Sequence, residues 1–247
     1  MQIRKILTVA ALSLFSLQSQ ADEKTLTVGL ESVYPPFEFL GEDKQLTGYD
    51  VDVMNAIGKA MGYKVVFRQL PFDAIIPSLL TGDINVSASA LSITEERKNK
   101  VDFSEPYYTS GITILIKESD KDKFHSVKDL KNQTICVQIA TTSQTYAQEE
   151  IEGSTVKIFN AVSDTFIELK NGGCVAVLGD RPVNGYYLKS PKSKGVMALK
   201  DLFSAEDFGI AVKKGNKETL QVINEGLAKI KADGTLDKIY EKWFGGI

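Results

Sequence analysis

Short β-branched runs alternate with helically spaced apolar patterns along most of this 247-residue chain. That alternation restricts the fold more than any other feature, because strands separated by helical crossovers assemble into parallel sheets. Strands are predicted at 25–30, 64–68 and 84–88. Between the first two, Val53, Met54, Ile57, Ala60 and Met61 keep helical spacing and Gly62 offers a C-terminal cap; 71–80 reads as a second, shorter helix. A new series starts after Gly111, with strands at 112–116, 134–138, 155–159 and 174–179. Its helices fall at about 143–150 and 164–171, the latter closed by Gly172-Gly173. A last strand at 208–212 leads into two helices. Leu220, Ile223, Leu227 and Ile230 line the first; beyond Gly234, Leu236, Ile239, Tyr240, Trp243 and Phe244 line the second.

The first residues carry a different signal. Arg4 and Lys5 precede an apolar stretch from Ile6 to Leu17, and Ser19-Gln20-Ala21 forms a small-x-small site before Asp22-Glu23. This pattern reads as a secretory signal peptide over 1–21, cleaved after Ala21, and the stretch is too short for an ordinary membrane span. No cysteine follows it, so no lipid anchor is expected, and the mature protein is expected to be soluble in the periplasm. Without Arg4 and Lys5, the 29 basic residues fall to 27 against 32 acidic, a net charge of −5 that gives no reason to expect nucleic acid as a partner. An oxidising compartment favours disulfides. However, if strands 134–138 and 174–179 are parallel neighbours with aligned carboxyl ends, Cys136 lies opposite about Val177. The sulfur of Cys174 is then roughly 7 to 10 Å away by strand rise, beyond disulfide reach, so both cysteines are expected as free buried thiols.

Catalytic options are few. One histidine and two separated cysteines provide neither a zinc cluster nor a Ser/His/Asp triad, and no Gly-rich phosphate loop is present, so no metal or cofactor is expected. Binding residues are easier to find. Thr94 is a credible N-cap for a helix starting at Glu95, which puts Arg97 in the first turn, where a cation meets the positive end of the helix dipole. Either Glu95 and Glu96 screen it at the surface, or Arg97 and nearby backbone N–H groups grip an anion; residue types alone support both equally. Thr141-Thr142-Ser143 opens another helix and can cap it or offer N–H groups to an anion. Asp180 closes strand 174–179, where it can act as an N-cap or pair with an ammonium. Glu31, Tyr34 and Phe72 follow strand ends; they can be a loop acid and two core aromatics, or together an apolar slot with an anion at its end. Ligands of open α/β sheets bind beyond the carboxyl ends of the strands, where all of these residues fall.

Several motifs resemble one family, the periplasmic polar amino-acid-binding proteins of ATP-driven (ABC) importers, and closest in pattern are the arginine and lysine-arginine-ornithine binding proteins. They are Tyr34-Pro-Pro-Phe-Glu38, Gly48-Tyr-Asp-Val-Asp52, Phe72-Asp-Ala-Ile-Ile-Pro77, Ser92-Ile-Thr-Glu-Glu-Arg97, Asp102-Phe-Ser-Glu-Pro-Tyr-Tyr108, Gly179-Asp180 and the ending Asp233-Gly-Thr-Leu through Lys242-Trp-Phe244. The resemblance covers nearly all of the mature chain. It implies an α/β fold of two Rossmann-like lobes joined by two hinge strands, a type II periplasmic binding protein. Lobe 1 would be discontinuous, 22–110 and 206–247, and lobe 2 would be 111–205.

The resemblance also implies roles. The ligand α-carboxylate would lie on Arg97 and the N–H groups of Ser92 and Thr142; the α-ammonium would meet Asp180, the Ser92 hydroxyl and a carbonyl near Ala90. Glu31, Tyr34, Phe72, Ser89 and Gln138 would read the side chain, a stacking slot with a carboxylate that suits a guanidinium. Arginine is therefore the favoured ligand and other basic amino acids come next, with a membrane permease as partner and a monomer expected. Two alternatives stay open: a binding protein for a neutral ligand such as glutamine, and an enzyme of the same fold such as a dehydratase of cyclic amino-acid precursors. A receptor-linked sensor module is disfavoured, since such modules usually carry a transmembrane helix. The sequence Ile139-Ala140-Thr141-Thr142 departs from the family in lacking a glycine before the threonines.

Overall fold

A computed structural model describes residues 24–200 and 203–245; the signal peptide read at 1–21 lies outside these residues. The first lobe opens with β1 (Thr25–Leu30), followed by a small antiparallel sheet of β2 (Val33–Tyr34), β3 (Glu38–Leu40) and β4 (Leu46–Thr47). Then come α1 (Tyr49–Met61), β5 (Lys64–Gln69), α2 (Ile75–Thr81), β6 (Val86–Ser87), α3 (Glu95–Lys98) and β7 (Val101–Phe103). The second lobe starts along β8 (Tyr108–Lys117). It continues through β9 (Thr134–Gln138), α4 (Thr142–Glu150), β10 (Thr155–Phe159), α5 (Val162–Asn171), β11 (Ala176–Asp180), α6 (Arg181–Lys189) and β12 (Val196–Ala198). From β13 (Phe203–Phe208) the chain returns to the first lobe and forms β14 (Ala211–Lys213), α7 (Lys217–Ala232) and α8 (Thr235–Phe244).

Each lobe is built on one sheet. The first has the order β5-β1-β6-β14-β7, with β5, β1 and β6 parallel and β14 antiparallel to both its neighbours. The second has the order β10-β9-β11-β8-β12, with β10, β9 and β11 parallel. Strands in the middle of such a sheet are covered on both faces, which is why β11 buries all five residues and β8 buries Ile112, Ile114, Leu115 and Ile116 completely.

Two strands pass between the lobes side by side. β8 and β13 pair antiparallel, with Tyr108 opposite Phe208, and the two rings stack 5.7 Å apart. α8 presses on this crossing through Phe244, whose ring lies 4.8 Å from Tyr108 and 5.1 Å from Tyr49. The same helix is tied to α1 by Trp243, whose Nε1–H donates to Asp52 Oδ2 at 2.7 Å.

Three sequence expectations need correction. The strand expected at 208–212 is two strands: β13 pairs with β8 in the second sheet, and β14 pairs with β6 and β7 in the first. Gly209 makes the switch, its N–H donating to the Leu91 carbonyl at 3.1 Å. The strand expected at 174–179 begins only at Ala176. The expected free thiols are a disulfide between Cys136 and Cys174, with a Cα–Cα distance of 6.0 Å. The register was read correctly, since Val177 does face Cys136. The strand-rise distance fails because Cys174 is not extended along β11. After the left-handed cap at Gly172, the chain bends across the start of β9, where Val175 N–H donates to the Thr134 carbonyl at 2.9 Å.

Candidate functional site

The loops at the carboxyl ends of β1, β5, β6, β9 and β11 converge between the lobes. Eight of the ten residues expected at the site line one cavity there, while Glu31 bonds to Gln138 of that lining and, through its N–H, to Ser89. Arg97 is anchored first by its helix. Thr94 caps α3 by accepting Arg97 N–H at 3.2 Å, as its sequence suggested. The guanidinium then crosses the cleft, donating from Nη1 to the Ser92 carbonyl and from Nη2 to the Ala140 carbonyl, each at 2.8 Å. Phe72 covers it, with the ring centroid 5.7 Å from Cζ. Of the five N–H donors of a guanidinium, these bonds use two and leave the rest for an anion. Arg97 is therefore a buried cation and not a surface residue screened by Glu95 and Glu96; those acids pair outward with Lys98 and Lys100.

Opposite Arg97, Asp180 occupies the N-cap position of α6 but makes no capping bond with its side chain. Its Oδ2 instead accepts from Tyr34 Oη at 2.5 Å across the cleft. Burial pushes its pKa up to about 7, with nearby Glu206 adding to the effect, although Tyr34 and Arg97 favour the charged form. Glu31 is likewise pushed up to about 7, chiefly by burial. Both of its oxygens accept from Gln138 Nε2 at 2.9 Å, again joining one lobe to the other. Among the described residues no cation lies against Glu31.

The backbone around Ser89 and Ala90 has its own support, which sequence reasoning missed. Ser89 Oγ donates to Glu38 Oε1 at 2.6 Å and accepts from Glu31 N–H at 3.0 Å. Ala90, at a left-handed φ of 44°, donates its N–H to Asp50 Oδ2 at 2.7 Å. Glu38 and Asp50 are completely buried, and desolvation raises both carboxyls, Asp50 to about 7. Both lie in motifs that carried the family resemblance, Tyr34 to Glu38 and Gly48 to Asp52, so a signal was present but no role could be attached to it. Glu206, which accepts from Ser92 Oγ at 2.6 Å and Thr142 Oγ1 at 2.7 Å, gave no sequence signal at all.

Thr142 stands at the first turn of α4, where Thr141 supplies the cap. The residue before these threonines, Ala140, has a φ of 59°, in the left-handed region that glycine adopts freely. In place of the missing glycine, alanine thus adopts a conformation that costs about 1 to 2 kcal/mol.

This architecture matches known proteins throughout. The family model described as bacterial extracellular solute-binding proteins, family 3, matches residues 26–246. The chain belongs to that family. An L-cystine-binding protein of Escherichia coli is 32% identical over 97% of this chain and 93% of its own length. An ABC transporter arginine-binding protein of the same species is 34% identical over 98% and 99%. Among solved structures, an ancestral arginine-binding protein bound to arginine has 44% identity and a TM-score of 0.86, covering 90% of this chain and 99% of its own. An ancestral arginine-binding protein bound to glutamine gives 44% and 0.85 with the same coverage. An ancestral amino-acid-binding protein, a precursor of cyclohexadienyl dehydratase, gives 41% and 0.83, covering 89% and 95%. The relatives named above are binding proteins for amino acids.

Proposed function

We propose that this protein is the periplasmic, monomeric binding component of an ABC amino-acid importer, that it holds one free L-amino acid between its lobes, and that the ligand is arginine, with other basic amino acids next. Glu31 carries this reading. A buried carboxyl beside the cavity, with no cation against it among the described residues, suits a ligand that brings a positive charge of its own. Arg97 with the N–H groups of Ser92 and Thr142 takes the α-carboxylate, and Asp180 with the Ser92 hydroxyl and the Ala90 carbonyl takes the α-ammonium. Glu31, Gln138, Ser89, Tyr34 and Phe72 then meet the side chain.

The hinge follows from the crossing strands, with the first lobe spanning 22–110 and 206–247 and the second 111–205. A ligand that touches both walls binds the closed form better and shifts the lobes toward it. A differential affinity of about 5.5 kcal/mol moves such an equilibrium from 1:99 to 99:1, and the permease would read the closed shape.

One observation favours a second reading, an enzyme. Glu31 and Asp180, both raised to about 7, could exchange protons near neutral pH. A thermal-shift panel of amino acids on refolded, ligand-stripped protein tests the binding reading. At about 1,000 times the Kd, arginine should stabilise by about 4 kcal/mol, a rise of about 8 to 16 °C. A shift confined to glutamine or cystine would refute the cationic pocket, and conversion of a bound candidate substrate, seen by mass spectrometry, would favour the enzyme.

A further inference from the structure

Glu206 lies on β13, one of the two strands that cross between the lobes, and is 8% exposed. Its Oε2 accepts the hydroxyl of Ser92, from the first lobe, and that of Thr142, from the second. Its Oε1 accepts Ser204 Oγ at 2.9 Å. Ser204 has a φ of 60°, a conformation few non-glycine residues adopt, and stands where the β8–β13 pairing slips between Phe203 and Ala205. The irregular strand thus sets a carboxylate, with a hydroxyl that supports it, against two residues that line the ligand cavity.

A hydroxyl has one proton to donate and two lone pairs with which to accept, whereas a carboxylate only accepts. The protons of Ser92 Oγ and Thr142 Oγ1 are therefore both directed to Glu206. Only lone pairs remain to face the cavity. We propose that Glu206 is a positioning residue that fixes these two hydroxyls as acceptors for the ligand's α-ammonium and ties the two lobes together at the crossing. The proposal rests on the amino-acid reading above. Without Glu206, either hydroxyl can turn its proton to the ligand carboxylate, and a carboxylic acid lacking the α-ammonium gains what an amino acid loses. Glu206 thereby helps the site select α-amino acids over their deaminated counterparts, while the α-carboxylate is left to Arg97 and backbone N–H groups.

The test compares L-arginine with 5-guanidinopentanoate, which lacks only the α-ammonium, by calorimetry on wild type and Glu206→Gln. The preference of the wild type for arginine should fall by about 10-fold or more in the variant, in line with the loss of charge-assisted hydrogen bonds. A merely structural role would weaken both ligands alike, so a preference within twofold of wild type in a folded variant overturns the proposal. If Glu206→Gln does not fold, Thr142→Val, which removes one acceptor, should lower the preference by about threefold, and an unchanged preference again overturns it. If arginine fails to bind even the wild type, the arginine reading falls and small-angle scattering of the ligand-free protein decides on Glu206. A larger radius of gyration in Glu206→Ala than in wild type supports the tie between the lobes, and an unchanged one overturns it.

Discussion

Tyr34 and Asp180 face each other across the cleft, the phenol of the first lobe donating to the carboxylate of the second at 2.5 Å. Burial works against charge on Asp180, so this contact is only a partial substitute for a cation. Arg97→Ala and Asp180→Ala should each weaken ligand binding by at least about 100-fold, the loss of a charge-assisted contact that leaves its ligand partner unpaired. They should differ in the ligand-free protein. Asp180→Ala removes a group whose ionised form is unfavourable in the fold, so its thermal midpoint at pH 8 should equal or exceed that of wild type. Arg97→Ala strips hydrogen bonds from the Ser92 and Ala140 carbonyls and should lower it. Calorimetry and thermal unfolding read both; wild-type affinity in either variant would sink the site assignment.

Glu31 and Asp180 set a pH dependence. Their folded pKa values, about 7, stand above the ordinary 4.5 and 3.8, so the native state holds more protons than the unfolded one between about pH 4 and 7. Ligand-free stability from these groups is therefore present in full below pH 4 and is lost as pH rises through 7, by about 3 to 4 kcal/mol for each at 1.36 kcal/mol per pKa unit. A cationic ligand reverses this by favouring the charged carboxyls. Arginine affinity should rise from pH 5 to 8, with release of about one to two protons at pH 6. Calorimetry in two buffers of different ionisation enthalpy measures the release; Glu31→Gln should cut it by about one, and an unchanged value would remove Glu31 from the ligand's surroundings.

The Cys136–Cys174 disulfide closes a segment with a sequence separation of 38 residues inside the second lobe. Cys136→Ala should destabilise the protein by about 2 to 4 kcal/mol, seen as a lower denaturation midpoint that reductant does not lower further. Wild type treated with reductant should approach the same midpoint. Arginine affinity should change little, because the bridge joins the middle of β9 to the chain ahead of β11 and neither cysteine lines the cavity.

Gly48 joins the small sheet to α1 at a φ of 137°, and a Cβ there would stand 2.0 Å from the Phe37 carbonyl oxygen. Gly48→Ala should therefore cost more than about 3 kcal/mol, since both the conformation and the contact must give way. It should also weaken binding in the fraction that folds, because α1 carries Asp50 to the Ala90 N–H. A variant of unchanged stability, measured by denaturant unfolding, would contradict this geometry.

Local patterns determined most of the architecture. The apolar run 25–30, the helical spacing of Val53 to Met61 before Gly62, and the two terminal helices all depend on periodicity and capping, which act over a few residues. The placing of Arg97 was likewise local, through Thr94 and the start of α3. Two of its neighbours were not: Ser92 comes with Arg97 in one motif, but Phe72 reaches the guanidinium only through the folding of the first lobe and Ala140 only through the packing of the second lobe against it. The same holds for the disulfide, which depended on a bend at the entrance to β11 that strand rise does not contain. Glu206 marks the limit most clearly. Its surroundings in the sequence are ordinary, and its place between Ser92 and Thr142 arises from a strand crossing and an irregular pairing with β8. The sequence determined the elements because their causes lie within a turn or a strand, while the contacts that couple the lobes were decided by tertiary structure, because each joins residues that only the folded chain makes neighbours.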